Sequence, residues 1–351
     1  MQRATWITVG VLAVLLAPAY ANDPRKAFTA QLNTIQSLGS TVPGNGDQNP
    51  YGVASVPRSI EALDAKSILV SNFNNSANLQ GTGTTIVQVA HEGDARLFAQ
   101  IPASAVPGCT GGVGLTTALA VLQTGWVIVG SVPTTDGMSD TIRPGCLIVL
   151  NSEGQPVETL TNGINGPWDM TVLDLGSAAV LFVSNVLDGT VVRIVVAVSE
   201  NQMPRQVGPT VTIGSEFLTK FDPNALVIGP TGLGLGAGGT LYVADTLGNR
   251  IAAIPNALIR TNSAGAGTTV SQGVALNGPL GLAIASNGDI LTVNSGDSNM
   301  VEFTPAGSQV EVKLVDVTGI GGGTLFGLVI APVGNGVDFV NDGNNMLYLL
   351  H

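Results

Sequence analysis

The sequence is poor in the residues that most catalytic and metal-binding sites require. Only 11% of its 351 residues are charged and 5% are aromatic, and it contains two histidines and two cysteines. His91 and His351 are too few to form a histidine cluster. No serine stands in a G-x-S-x-G motif, so a Ser-His-Asp triad has no candidate. The sequence therefore predicts no histidine-based chemistry.

Basic side chains are also scarce. The chain has 13 Lys and Arg residues against 24 Asp and Glu, which gives a formal net charge of -11. This charge opposes binding to nucleic acid phosphates and to anionic lipid, so we expect neither as a partner. By contrast, 44% of the residues are hydrophobic and 46 are glycine. A large core under small polar residues and glycine turns is typical of an exported all-β protein.

The start of the chain, MQRATWITVGVLAVLLAPAYAND, has the pattern of a secretory signal. An apolar run from Trp6 to Leu16 follows a basic residue, and Ala19 and Ala21 frame a cleavage site. An uncleaved membrane anchor is the alternative, but the run is shorter than the about 20 residues of a spanning helix. We therefore predict a signal peptide over 1–21 and a secreted mature protein, periplasmic or extracellular.

The two cysteines, Cys109 and Cys146, fit such an oxidising compartment. An even pair in a secreted protein is most simply a disulfide. The alternative, a zinc site, lacks nearby histidines. We predict a Cys109–Cys146 bridge that ties the stretch PTTDGMSDTIRP to its neighbouring strands.

Short apolar strands recur in a fixed order along the chain. In the best-defined unit they are GPTGLGLG (229–236), TLYVAD (240–245), NRIAAI (249–254) and TTVSQG (268–273). The second strand of each unit ends on a small polar residue, which we expect to satisfy turn amides. These residues lie 47 to 60 positions apart and mark six units: Asn72, Ser131, Asn185, Asp245, Ser295 and Asp342.

This spacing predicts an all-β fold, a six-bladed β-propeller with four-stranded antiparallel blades. The sixth unit lacks a fourth strand because the sequence stops at His351. We predict that AFTAQLNTIQ (27–36) supplies that strand by pairing with NMLYLL (345–350), which removes two exposed sheet edges. The chain then divides into the signal peptide, an N-terminal segment with the closing strand over 22–48, and the propeller over 49–351.

The fourth unit, GPTGL…GTLYVADTLGNRI, resembles an NHL repeat, and the third and fifth units are looser copies. Six such units resemble the six-bladed propellers that include NHL-repeat proteins, gluconolactonase-type lactonases and strictosidine synthase-like proteins. The resemblance implies the fold and a structural ion pair between Asp245 and Arg250, but a shared fold says little about function. Gly234, Gly236, Gly238 and Gly239 lie within and after a predicted strand, and we interpret them as turn and strand-packing glycines. A dinucleotide-binding loop would instead need a strand before it and a helix after it.

In the related lactonases, the residue between Pro and Gly of each P-x-G turn points to the channel mouth, where carboxylates and amides hold a divalent cation. The corresponding residues here are Tyr51, Val113, Trp168, Thr231, Leu280 and Phe326. None of them is a carboxylate or an amide, so we predict neither a metal nor another cofactor. Instead we predict an aromatic channel mouth as a ligand site, or alternatively a plug of the ring. Its candidate residues are Tyr51, Trp168, Asp169, Thr231 and Phe326.

The missing acid–base pairs and metal ligands favour a secreted, monomeric, non-catalytic propeller that binds a small molecule or a protein. A polar insertion with Asn74, Asn75 and Asn78 is where a partner would attach. The alternative is an enzyme of the lactonase, lyase or strictosidine synthase-like type with an atypical site around Asp169. Stoichiometric calcium or zinc in the purified protein would favour this alternative.

Overall fold

The computed structural model of the protein describes residues 26–351, and the predicted signal peptide lies outside the described residues. It contains β1 (Ile35–Ser40), then β2 (Gln48–Ser55), β3 (Ile68–Asn74), β4 (Thr85–Val89) and β5 (Ala95–Gln100) of blade 1, and β6 (Leu115–Val121), β7 (Val127–Ser131), β8 (Cys146–Leu150) and β9 (Pro156–Leu160) of blade 2. Blade 3 is formed by β10 (Pro167–Asp174), β11 (Ala178–Asn185), β12 (Thr190–Ser199), β13 (Gln202–Gln206) and β14 (Val211–Gly214). A separate hairpin, β15 (Lys220–Asp222) and β16 (Leu226–Ile228), follows blade 3.

The second half of the ring is more regular. Blade 4 contains β17 (Pro230–Leu235), β18 (Leu241–Asp245), β19 (Arg250–Ile254) and β20 (Thr268–Gln272). Blade 5 contains β21 (Pro279–Ile284), β22 (Ile290–Asn294), β23 (Asn299–Phe303) and β24 (Gln309–Leu314), and blade 6 contains β25 (Leu325–Ile330), β26 (Val337–Asn341) and β27 (Met346–Leu350). The helices of the described part are three short 3-10 turns, Thr29–Gln31, Ala103–Ala105 and Ala237–Gly239.

The innermost strands β2, β6, β10, β17, β21 and β25 surround one axis. Each contacts the next, and β25 contacts β2, so the six blades form a closed ring. Every strand in a blade pairs antiparallel with its neighbour. The predicted six-bladed β-propeller is confirmed.

Apolar side chains hold adjacent blades together. Leu69 and Ile86 of blade 1, for example, pack in one buried cluster with Val129 and Ile148 of blade 2. The second strands are almost entirely buried and the third strands largely so, because a blade lies on each side of them. These strands therefore read as short continuous apolar runs, which is the pattern that the sequence repeats.

The predicted ring closure is confirmed, although the closing strand starts later than expected. β1 pairs antiparallel with β27 and completes blade 6, with Ile35 opposite Leu350. Only the end of the predicted segment 27–36 belongs to this strand. Its first half forms the 3-10 turn Thr29–Gln31, because the backbone at Phe28 and Thr29 bonds to the Glu302 carboxylate of blade 5 instead of a neighbouring strand.

The register of the inner strands corrects two parts of the repeat alignment. Pro279 pairs with Asn294 and Leu325 with Asn341, so the residues that end these second strands are Asn294 and Asn341, one position before Ser295 and Asp342. In blade 2, Leu115 takes the place of the turn proline, so Thr116 replaces Val113 as the channel residue. The expected role of satisfying turn amides is seen at Asp245 and Asn341, whose Oδ1 atoms accept from the Gly248 and Gly343 amides. The side-chain amides of Asn72, Asn185 and Asn294 instead donate to the carbonyls of Thr41, Gly163 and Ala275.

Two predicted covalent and ionic links are present. Cys109 and Cys146 form a disulfide with a Cα–Cα distance of 5.2 Å, and it joins the loop before β6 to the start of β8. Arg250 Nε lies 2.8 Å from Asp245 Oδ2, and the two residues face each other across β18 and β19. Both links are largely buried. A buried disulfide is consistent with an oxidising compartment.

Residues 26–351 contain no helix that is long and apolar enough to cross a bilayer.

Candidate functional site

The central channel holds two cavities, one at each end. The upper chamber, of about 330 Å³, lies where the inner strands begin, and the aromatic residues Tyr51, Trp168 and Phe326 form its floor. The lower chamber, of about 410 Å³, lies along the second halves of the same strands. Both volumes fall in the range of small-ligand sites.

The floor of the upper chamber is a stack of aromatic rings. Tyr51 lies between Phe73 and Phe326, with ring-centroid distances of 4.6 Å and 4.0 Å. Trp168 meets the edges of Tyr51 and Phe73 at 5.8 Å and 5.6 Å. Tyr51 and Trp168 are buried, whereas Phe326 is partly exposed and ends the stack. The stack thus closes the channel, as a plug would, and also presents Phe326 to the chamber.

A second ring of residues surrounds this floor and has two different halves. Its members follow the capping residues at the ends of the second strands: Phe73, Val132, Val186, Thr246, Ser295 and Asp342. The first three pack with the aromatic floor, whereas Thr246, Ser295 and Asp342 line the open chamber. This surrounding ring is therefore apolar in blades 1 to 3, where it packs against the aromatic floor, and polar in blades 4 to 6, where it lines the chamber together with Phe326 of blade 6.

Two insertions cover part of the upper chamber. The loop with Asn74, Asn78 and Gln80 comes from blade 1, and the β15–β16 hairpin supplies Asn224. Gln80 Nε2 donates to the Asn224 carbonyl over 3.0 Å, so the two insertions meet above the floor. Leu226 and Val227 of the hairpin pack on the aromatic floor. Amide side chains, which donate and accept hydrogen bonds, thus form most of the polar wall.

Asp342 is a chamber residue that the repeat alignment misses. The one-residue slip in blade 6 makes it a strand cap in the alignment, whereas Asn341 takes that role. Burial raises the pKa of Asp342 to about 7. Burial also raises the pKa of the Tyr51 hydroxyl, and the nearby Asp342 carboxylate raises it further. With the correct register, the alternation of side chains between the two faces of the strand would have predicted that Asp342 faces the chamber.

Asp169 lies on the other side of the aromatic floor from the remaining candidate residues. Tyr51, Trp168, Thr231 and Phe326 line the upper chamber, whereas Asp169 lines the lower one. Its Oδ1 accepts from the Met170 amide over 2.8 Å, and its Oδ2 accepts from the Leu233 amide of blade 4 over 3.0 Å. The carboxylate thus links the inner strands of two blades. Burial raises its pKa to about 8.

Thr231 is buried, and its hydroxyl serves the fold. It donates to backbone carbonyls of its own blade and of blade 5, with Leu280 O at 3.1 Å. It also lies 2.9 Å from the hydroxyl of Thr246. Thr231 therefore fixes the wall of the upper chamber, and Thr246 is the hydroxyl beside it that also lines the cavity.

Neither chamber presents a metal cluster. Among residues 26–351, no group of three His, Cys, Asp or Glu side chains is placed to hold an ion. The glycine-rich run is not a nucleotide loop either, since Ala237–Gly239 is a single 3-10 turn that leads into β18. Gly238 and Gly239 have φ values of 75° and 77° there, which explains the choice of glycine.

Comparison with known proteins gives the fold. No protein-family model and no curated protein matches the sequence. Among solved structures, a gluconolactonase from Xanthomonas campestris is similar with a TM-score of 0.54 and 12% identity, over 90% of this chain and 88% of that one. Regucalcin, a calcium-binding protein from Agrobacterium tumefaciens, has the same score and identity over 90% and 93%.

A catalytically inactive virginiamycin B lyase from Staphylococcus aureus, solved with quinupristin, is similar with a TM-score of 0.51 and 14% identity, over 90% of this chain and 84% of that one. Identities this low carry the fold and not the chemistry. The chain thus has the fold of the lactonase-like and lyase-like six-bladed propellers, as its sequence pattern predicts.

Proposed function

We propose that the protein binds a neutral small molecule in the upper chamber, a ring with one apolar face and an edge of hydroxyl or amide groups. The observation that carries this proposal is an exposed aromatic surface with polar side chains beside it. The ring of Phe326 is partly exposed to the chamber, and Thr246, Ser295 and Asp342 line the chamber around it. A ligand with one apolar face and a polar edge matches both surfaces at once.

Phe326 is the contact surface that we assign to the apolar face of the ligand. Its ring is the partly exposed end of the Phe73–Tyr51–Phe326 stack, so a bound ring continues the stack. Between two aromatic rings, offset stacking contributes about 0.5–1.5 kcal/mol beyond burial of the area.

The polar wall favours a neutral ligand. Among the described residues, no Lys, Arg or His lines the upper chamber, so an anion finds no partner there, and Asp342 is the one carboxylic acid of its lining. The amides of Asn78, Gln80 and Asn345 supply paired donors and acceptors, which suit hydroxyl and amide groups.

Fluorescence of Trp168 tests this proposal. In a Trp126→Phe background, Trp168 is the reporter within the described residues. Neutral monosaccharides, such as glucose and N-acetylglucosamine, are titrated as probes. We expect saturable quenching by at least one of them and, in Phe326→Ala, an affinity about ten-fold lower from lost stacking and area.

Phe221→Ala is the matched control, because Phe221 is 58% exposed and does not line the chamber. Its affinity should equal that of the parent. Equal affinities in Phe326→Ala and the parent would contradict the proposed site, and so would quenching that persists after Trp168→Phe.

A second candidate function, an enzyme, rests on Asp342. A carboxyl with a pKa of about 7 beside a neutral tyrosine hydroxyl is suited to general acid–base catalysis. Asp169 is the weaker candidate, because both of its oxygens accept backbone amides. Hydrolysis of neutral lactones, absent in Asp342→Asn while probe binding persists, would establish the enzyme. No turnover and no stoichiometric calcium or zinc in the parent would favour the binding protein.

We also propose that the protein is exported after cleavage at Ala21. The signal-like start and the Cys109–Cys146 bridge support this. An intact mass that begins at Asn22 is the expected result, and a mass that retains residues 1–21 would contradict it. The NHL character of the fourth blade stays a proposal, which the buried Asp245–Arg250 pair supports.

A further inference from the structure

The lower chamber is lined by apolar side chains, by the hydroxyl residues Ser55, Thr117 and Thr171, and by one side chain that can carry charge. The apolar side chains include Met170, Val172, Leu235 and Ile284, and several of these are partly exposed where the chamber opens to solvent. Among the described residues that line the chamber, Asp169 is the only titratable one. A single ionisable group in such a cavity defines where the charged end of a ligand must lie.

Asp169 lies at the inner end of this chamber, against the aromatic floor. A small void of about 10 Å³ there is lined by Asp169 together with Trp168, Thr231 and Phe326. The aromatic floor separates the two chambers, so a ligand in one chamber does not contact a ligand in the other.

The Asp169 carboxyl has no cation beside it that would balance its ionised form. The described part of the chain places no Lys, Arg or His in a salt bridge with this carboxylate, which accepts two backbone amides instead. Burial raises the pKa of Asp169 to about 8, because burial penalises the charged form more than the two hydrogen bonds stabilise it.

We propose that the lower chamber is a second ligand site, which takes an alkylammonium ion. The ammonium group pairs with the Asp169 carboxylate, and the hydrocarbon chain lies against the apolar walls. When Asp169 is ionised, a neutral alcohol would leave its charge unbalanced, and an anion would be repelled by it. The net charge of -11 favours the approach of a cation.

Calorimetric titration with n-hexylammonium and with n-hexanol tests this site. The two probes share a tail and differ in charge. At pH 8.5 we expect n-hexylammonium to bind the parent, and Asp169→Asn to bind it at least ten-fold more weakly. The affinity for n-hexanol should be low and equal in both. Ser295→Ala changes the upper chamber, and because Ser295 lines neither the lower chamber nor the small void, this variant should leave n-hexylammonium binding unchanged.

Asp169→Asn removes the acceptor of one buried amide, so the test needs measurements that do not depend on this variant folding. The parent should bind n-hexylammonium about ten-fold more tightly at pH 7 than at pH 6, because one proton leaves Asp169 on binding while the amine stays protonated. Val172→Trp, which narrows the chamber, should weaken n-hexylammonium binding. The same affinity at both pH values, equal affinity for both probes, or no saturable binding would overturn the proposal.

Discussion

The attachment of the N-terminal segment to blade 5 gives the sharpest prediction about stability. Glu302 is 1% exposed, and its carboxylate accepts from Phe28 N at 2.6 Å, Thr29 N at 2.8 Å and Thr29 Oγ1 at 2.6 Å. The segment then continues into β1, which closes blade 6. Glu302 therefore connects the closing strand to a second blade.

The size of the effect follows from the groups left without partners. Glu302→Ala leaves two buried backbone N–H groups unsatisfied, at about 1–3 kcal/mol each, whereas the Thr29 hydroxyl is free to rotate. We therefore expect a loss of about 2–6 kcal/mol in the free energy of unfolding. Glu302→Gln keeps one acceptor oxygen and should lose roughly half as much.

Equilibrium unfolding in urea measures both losses, with Glu153→Ala as the control. Glu153 lies in an exposed turn, so its replacement should change the free energy of unfolding by less than about 0.5 kcal/mol. A Glu302→Ala variant as stable as the control would refute the reasoning, because the three contacts would then contribute nothing to closure.

Three further predictions concern the blades. Replacing both cysteines by serine should lower the free energy of unfolding in urea by about 3–4 kcal/mol, because the bridge closes a loop with a sequence separation of 37 residues. An unchanged urea midpoint would contradict the structural role of the bridge. Gly327→Ala should lower the free energy of unfolding by about 2 kcal/mol or more, because the added Cβ would lie 2.3 Å from the Tyr51 carbonyl oxygen. Gly44→Ala is the control: no atom lies within 4 Å of the Cβ that it adds, so it should leave the free energy of unfolding unchanged. Burial raises the pKa of Asp338 to about 7, so the folded state holds its proton more tightly and this group lowers stability as the pH rises from about 4 through 7. Asp338→Asn should therefore raise the urea midpoint at pH 8 and change it little at pH 4, and equal effects at both values would contradict this.

The architecture was predictable because each blade repeats the same buried strands. The runs SILVSN, TLYVAD and DILTVNS become β3, β18 and β22 with small shifts in their ends. Closure was predictable because the sixth unit had three strands. The exact residues of the closing strand were not predictable. The contact that holds the segment 27–32 away from β27 is made by Glu302, which lies about 270 positions later in the chain.

The site was only partly predictable. Four of the five candidate residues meet at the upper chamber, because the P-x-G turns fix where the inner strands begin. Asp169 faces the other chamber, since the residue after the channel position continues along the strand. The repeat alignment made Asp342 a strand cap instead of a chamber residue, because a slip of one residue exchanges the two sides of a strand. The hairpin that covers the chamber has strands of three residues, too short to give a periodic signal.

The central claim is that the two-sided upper chamber holds a neutral ring, and a crystal structure tests it most directly. Crystals soaked with the monosaccharide that quenches Trp168 most strongly should show the sugar ring stacked on Phe326, with its hydroxyl groups near Thr246, Ser295 and Asp342. A sugar bound elsewhere while this chamber holds only solvent, or a divalent cation coordinated at Asp342, would contradict the account.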